Sequence, residues 1–184
     1  MINSKQYDYQ LLKKCGTDVF ISANVEIRRP HLVSVGSHVA VDSGFYLTTQ
    51  ASIGDYVHLG PYITAIGGDK SSIIIEHFVT VAAGSRLIAG SDSFLGEGFT
   101  SVTVPLQYRD EVKFSTITIK RFAGIGTNVV IMPGITVAEG SVIGACSLVT
   151  KNTEPWTIYA GVPAKPMKIR KSEKMLSFAK ELGY

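Results

Sequence analysis

The sequence is short of several residue types, and each shortage removes a class of protein. Two cysteines, Cys15 and Cys146, cannot build a disulfide framework in 184 residues and read as incidental thiols of a reducing compartment. Charged residues make up 18% of the chain and the net charge is only +3, far from the dense basic face of a nucleic-acid binder. No stretch approaches the roughly 18 consecutive apolar residues of a membrane span. Met1 to Gln6 lack the apolar core of a secretory signal. The 45% hydrophobic content is ordinary for a globular chain, so the expectation is one soluble, cytoplasmic domain with a short appendage. One basic cluster stands out near the C-terminus: Lys165, Lys168, Arg170 and Lys171.

What the sequence has in abundance is a repeat. Aliphatic residues recur every six positions at Val35, Val41, Leu47, Ile53 and Leu59, at Ile75, Val81 and Leu87, and from Ile119 through Ile125, Ile131, Val137 and Ile143 to Val149. Ile21 and Ile27 share the spacing. Four residues after each start stands a small or apolar partner, among them Val39, Phe45, Val57, Ile63, Val79, Ser85, Val129 and Ser141. A period of six matches neither an α-helix nor a simple alternating strand. It fits a coil of three short flat faces, with the starting aliphatic pointing into a triangular core. Gly, Asn and Asp suit the tight corners between faces, as in Ile53-Gly54-Asp55 and Ile125-Gly126-Thr127. Stacked coils bury a continuous aliphatic ladder. A sandwich of strands joined by loops of varied length would not hold this register. The reading is an all-β solenoid over residues 19–171.

The repeat is interrupted twice. Between Leu59 and Ile75 a short loop bulges around Gly67, Gly68 and Asp69, and between Leu87 and Ile119 lies an excursion of about Ser91 to Thr116. Long loops on a rigid scaffold are usually functional. Phe94, Phe99, Tyr108 and Phe114 in the excursion predict an ordered loop that packs on a neighbouring subunit. The ends read as helices: one over residues 1–18, capped by Ser4 with Tyr7, Leu11 and Leu12 on its apolar face, and one over 172–184, capped by Ser172 with Met175, Phe178, Ala179 and Leu182 on its face. The last helix is expected to cover the open end of the solenoid.

Ile119 to Arg170 resembles the hexapeptide-repeat acyltransferases, above all in Ile131-Met132-Pro133-Gly134-Ile135-Thr136 and in Tyr159-Ala160-Gly161-Val162-Pro163-Ala164-Lys165. The preceding SDSFLGEGFTSVTVP segment is similar to the branch that acetylates sugars of O-antigen and other surface polysaccharides, on nitrogen or on oxygen. The resemblance implies a left-handed parallel β-helix and a homotrimer with active sites between subunits. It also implies acetyl-CoA as donor, with the thioester toward the excursion and the phosphates toward the C-terminal coils. Candidate donor contacts are Ala83, Gly84, Gly124, Gly126 and Ala145 as a small-residue wall for the pantetheine arm, with Lys151, Pro163, Lys165 and Arg170 near the phosphates. Taken singly, each of these glycines and alanines is better accounted for as a repeat corner.

Acyl transfer needs alignment, a proton acceptor and stabilisation of the thioester oxygen. Many O-acetylating relatives place a histidine where this sequence has Ser91-Asp92-Ser93, and residues 91–116 contain none. A neutral amine needs less help from a base than a hydroxyl does, so the acceptor expected is the amine of a nucleotide-linked amino-deoxysugar. A galactoside-like hydroxyl is the alternative. Asp92 and Glu97 are the candidate carboxylates and His58 the candidate histidine, projecting from a face between inward Val57 and Leu59. Tyr62, Asp69 and Ser91 are placed as sugar contacts in one groove. The four histidines show no paired metal-ligand spacing, so no metal site is assigned. A non-catalytic β-helix scaffold is the remote alternative.

Overall fold

The computed structural model describes residues 5–184 and forms a left-handed parallel β-helix of about seven coils. Three parallel sheets line the prism. Sheet 1 runs from Lys14–Cys15 through Val33–Val35, Gln50–Ile53, Ser72–Ile75 and Thr116–Ile119 to Thr136–Val137. Sheet 2 contains Val19–Ile21, Val39–Val41, His58–Leu59, Thr80–Val81, Gly124–Ile125, Val142–Ile143 and Thr157–Ala160. Sheet 3 runs from Glu26–Ile27 to Leu148–Val149. The register aligns the repeat aliphatics into inward columns. In sheet 2 the column is Ile21, Val41, Leu59, Val81, Ile125, Ile143 and Tyr159. The fourth-position serines are buried too, and each finds a partner: Ser85 donates to the Ala82 and Gly126 carbonyls, and Ser141 to that of Glu154.

The corners work differently from the sequence reading. At most corners the residue with positive φ is the third after the inward aliphatic, as at His38, Tyr56, Gly84 and Asn128. Gly54, Gly126 and Gly144 come one residue after theirs and are absent from the positive-φ positions. A Cβ on Gly126 would stand 2.7 Å from the Ala145 nitrogen, so close approach of the next coil, not backbone angle, demands glycine there. At the vertex between sheets 1 and 2 the left-handed positions are Asp18, His38, Tyr56, Phe78, Phe122, Gly140 and Trp156, five of them carrying rings. Left-handed backbone costs a non-glycine residue roughly 1–2 kcal/mol. Stacking offsets it: consecutive centroids lie 4.5, 5.0, 5.3 and 5.8 Å apart.

The ends also depart from expectation. The proposed first helix is absent among the described residues, and Ser4 lies outside them. Instead, the Asp8 carboxylate caps a single 3-10 turn, Tyr9–Leu11. Tyr7 pairs through its N–H with the Ile21 carbonyl, so the segment closes the first coil as extended chain. The C-terminal helix, Glu173–Glu181, exists, though the Ser172 side chain makes no capping bond. It does not cover the open end. It lies along the aromatic vertex, where Phe178, Ala179 and Leu182 face Phe78 and Phe122 across a small cavity. Tyr184 packs edge-on against Tyr56 and Phe78, and its hydroxyl donates to Asp55 at 2.8 Å. The exposed edge of sheet 2 is closed by an antiparallel strand, Lys165–Ile169, laid on Thr157–Ala160.

Candidate active site

The outer faces of the sheets differ. Sheet 1 presents Lys14, Ser34, Ser52, Ile74, Thr118 and Thr136, mostly hydroxyls. Sheet 2 presents Phe20, Ala40, His58, Thr80, Gly124, Val142 and Ile158, an apolar and small-residue face interrupted by one imidazole. His58 is exposed, and its Nε2 lies 3.1 Å from Asp42 Oδ2, one coil below. A cleft of about 700 Å3 opens over Ala40 beside it, walled by His38, Tyr56 and Phe20.

Next to this face, at the vertex between sheets 2 and 3, small residues stack coil on coil. The N–H groups of Gly60, Ala82, Gly126 and Gly144 donate to the carbonyls of Val81, Ile125, Ile143 and Tyr159. Ala83, Gly84, Gly126 and Ala145 therefore lie along one edge, with Gly124 on the adjoining face. At the C-terminal end of that edge Lys151, Pro163 and Lys165 line one cleft of about 340 Å3. Arg170 does not join them. Its Nη1 donates to the carbonyls of Phe122 and Gly140 at 2.8 and 3.0 Å, and burial lowers its pKa. The guanidinium fastens the C-terminal segment to the aromatic vertex, which corrects its placement among the donor contacts.

The excursion leaves from the vertex between sheets 3 and 1. Its base is a hairpin, Gly90–Asp92 against Val112–Phe114. The short loop packs on it: Lys70 Nζ stands 5.7 Å from the Phe114 ring centroid, and Ser71 Oγ bridges the carbonyls of Gly67 and Ala89. Asp69, Ser91 and Asp92 thus share this vertex, while Glu97 is exposed farther out. Tyr62 does not share their groove. It occupies a left-handed corner between sheets 2 and 3, against Gly44. The excursion is pinned by Asp110, a buried carboxylate that the sequence reading passed over. It accepts from the Ser93 hydroxyl and from the Glu111 and Phe94 N–H groups, and these bonds, Ser93 foremost, hold its pKa below the usual range. Beyond the pin, Phe94, Leu95, Phe99, Val102 and Leu106 are exposed.

In a triangular prism the vertex between sheets 3 and 1 lies opposite sheet 2. One chain therefore holds Asp92 and His58 on opposite sides.

No protein-family model matches the chain. A probable macrolide acetyltransferase from Lysinibacillus sphaericus is 35% identical over 64% of this chain and 69% of its own length. The chain belongs to the hexapeptide-repeat acyltransferases. A dTDP-4-amino-4,6-dideoxy-D-glucose acyltransferase from Escherichia coli is 27% identical over 89% of this chain and 85% of its own length. Among solved structures, AntD, an N-acyltransferase from Bacillus cereus in complex with dTDP and 3-hydroxybutyryl-CoA, superposes with a TM-score of 0.89 at 29% identity, covering 97% of this chain and 96% of that one.

The small-residue edge offers a slim path ending in lysines. The excursion carries carboxylates, and sheet 2 carries an oriented imidazole. Asp42 was legible only as the third-dimension neighbour of His58, since sixteen residues separate them in the chain.

Proposed function

We propose that this enzyme transfers the acetyl group of acetyl-CoA, or a related acyl group, to the amine of a nucleotide-linked amino-deoxysugar. The acceptor assigned is dTDP-4-amino-4,6-dideoxyglucose, for O-antigen or another surface polysaccharide. The observation that carries the reading is the near-full-length likeness to AntD, an N-acyltransferase whose structures include complexes with dTDP-4-amino-4,6-dideoxyglucose and coenzyme A. Both substrates are cytoplasmic metabolites, which puts the enzyme in the cytoplasm.

The working unit is a homotrimer. The apolar face of sheet 2 and the exposed apolar residues of the excursion supply complementary surfaces. With the subunits parallel about a three-fold axis, one subunit's excursion reaches the next subunit's sheet 2. The hairpin leaves the coil of Thr80, directly above that of His58, so the levels match. The donor lies along Ala83, Gly84, Gly126 and Ala145, its phosphates near Lys151, Pro163 and Lys165 and its thioester beside Gly124 and His58. Asp92 attracts the protonated amine and receives its proton during attack on the thioester carbon. The C–S bond then breaks and the thiol leaves. His58 is a secondary base or holds the sugar, and Ser91, Glu97 and Asp69 complete the acceptor walls.

Asp92→Asn tests the assignment. It lowers kcat for N-acylation, and raising the pH partly restores the rate because more amine is already neutral. His58→Asn does less. Abolished turnover in His58→Asn with intact turnover in Asp92→Asn reverses the roles.

A further inference from the structure

One part-buried cation of the aromatic vertex has no counter-ion. Among the described residues no carboxylate pairs with Arg170. The acids of that vertex are engaged elsewhere: Asp55 accepts from the Tyr184 hydroxyl, Glu76 from Lys120 and Glu139 from Arg121. A charge drawn out of water is ordinarily paired. The donors of Arg170 are also unevenly used. Nη1 donates to the carbonyls of Phe122 and Gly140. Nη2 has only the Met175 sulfur, a weak acceptor, at 3.2 Å, and among the described residues nothing accepts from Nε. Nε and Nη2 share one edge of the planar guanidinium, and such an edge is a fork that takes both oxygens of a carboxylate.

The cavity between the C-terminal helix and the vertex adjoins this guanidinium. It measures about 240 Å3, with Phe78 and Phe122 on the solenoid side and Met175, Phe178 and Leu182 on the helix side. Apart from Arg170 its lining is apolar. An apolar cavity of about 150 Å3 already holds a benzene ring, so this one has room for a ring and a short chain. The phenyl groups of Phe78, Phe122 and Phe178 favour an aromatic body.

We infer that this cavity binds a small aromatic carboxylate, of the size of 3-phenylpropionate, with its oxygens on the Nε–Nη2 edge of Arg170 and its ring among the three phenylalanines. The flexible Met175 thioether yields its place to the carboxylate. The cavity lies at the vertex between sheets 1 and 2, and the small-residue edge at that between sheets 2 and 3. The site therefore depends on neither the donor nor the acceptor reading. Its ligand touches helix and solenoid together and holds the C-terminal segment down.

The test uses the whole enzyme with 3-phenylpropionate, the equally large but neutral 3-phenylpropanamide, and octanoate, a flexible chain with the same head group. Calorimetry measures binding. Trp156, the one tryptophan of the chain, reports it by fluorescence, because its ring stacks on Phe122 at 5.8 Å. The acid binds once per subunit and raises Tm with concentration. The amide binds roughly 10–100-fold more weakly, the scale of one charge-assisted contact, and octanoate is also weaker than the aromatic acid. Arg170→Met removes the preference for acid over amide. Leu182→Trp fills the cavity, leaves the guanidinium in place and abolishes binding of both. Saturating acetyl-CoA leaves the affinity for the acid unchanged. Equal affinity for acid and amide, tighter binding of octanoate, intact binding in Leu182→Trp or competition with acetyl-CoA each overturns the assignment. So does the absence of both binding heat and fluorescence change at millimolar acid. The acyl-transfer reading survives all of these results, since it is tested by thiol release.

Discussion

Replacing Arg170 by methionine separates a structural from a donor-binding arginine. Methionine keeps most of the apolar stem and removes the donors. The structure assigns three hydrogen bonds to lose, from Nη1 to the carbonyls of Phe122 and Gly140 and from Nη2 to the weakly accepting Met175 sulfur. Hydrogen bonds from charged groups contribute roughly 1.5–3 kcal/mol each when buried. This guanidinium is only part-buried, so water can replace it at both carbonyls, and the lower end applies. The two carbonyl bonds are then worth about 3 kcal/mol, a fall in Tm of roughly 6–12 °C for a chain of this length. Thermal melting measures the first quantity and initial rates across acetyl-CoA concentrations the second. Arg170→Met should melt earlier with an unchanged donor KM. Lys165→Gln, an exposed cation on the terminal cleft, should do the reverse, raising the donor KM severalfold at constant Tm. A raised donor KM with an unchanged Tm in Arg170→Met would return the arginine to the phosphates and refute the geometric argument.

Other consequences follow from the same contacts. Leu59 is fully buried between Val41 and Val81, so Leu59→Ala should cost about 3 kcal/mol, read as a shift in denaturation midpoint. The Tyr184 phenol, held by its bond to Asp55, has its pKa raised from 10.0 to about 12. A raised pKa means the contact stabilises below the ordinary value and is lost as the pH rises through about 12. Tyr184→Phe should flatten this alkaline loss when helix release is followed by limited proteolysis. Asp55 behaves oppositely: burial raises its pKa, but the Ser37 N–H, Tyr184 and the nearby histidines outweigh it and leave it lowered. Its contribution is therefore present above the usual carboxylate range and lost on acidification, and Asp55→Asn should reduce the acid sensitivity of Tm.

The core was legible in the sequence because one physical requirement repeats. Every coil must send one aliphatic inward per face, so Val35, Val41 and Leu47 announce three faces, and the register follows. The aromatic vertex was not legible. Propensity assigns left-handed corners to glycine and asparagine, whereas His38, Tyr56, Phe78 and Phe122 tolerate the angle by stacking on neighbours a coil away. A signal existed, since each stands three residues after an inward aliphatic. The first helix was misread because Tyr7, Leu11 and Leu12 mimic an apolar stripe, while Tyr7 and Leu12 contact the core from extended and turn backbone. Of the site, sequence order placed Asp69, Ser91 and Asp92 together, since two loops one coil apart share a vertex. It misplaced Tyr62 and Arg170, whose positions depend on which vertex their coil turns at. It could not pair His58 with Asp42, because that contact exists only between coils.

The central claim is that the acceptor atom is a sugar amine, and one measurement addresses it directly. Purified enzyme is given acetyl-CoA with dTDP-4-amino-4,6-dideoxyglucose and, separately, with simple galactosides. Thiol release is followed in both, and the product is located by mass spectrometry and NMR. The account predicts the 4-acetamido sugar nucleotide, formed with a higher kcat/KM than any ester. Galactosides acetylated on oxygen faster than the amino sugar is acetylated on nitrogen would contradict it.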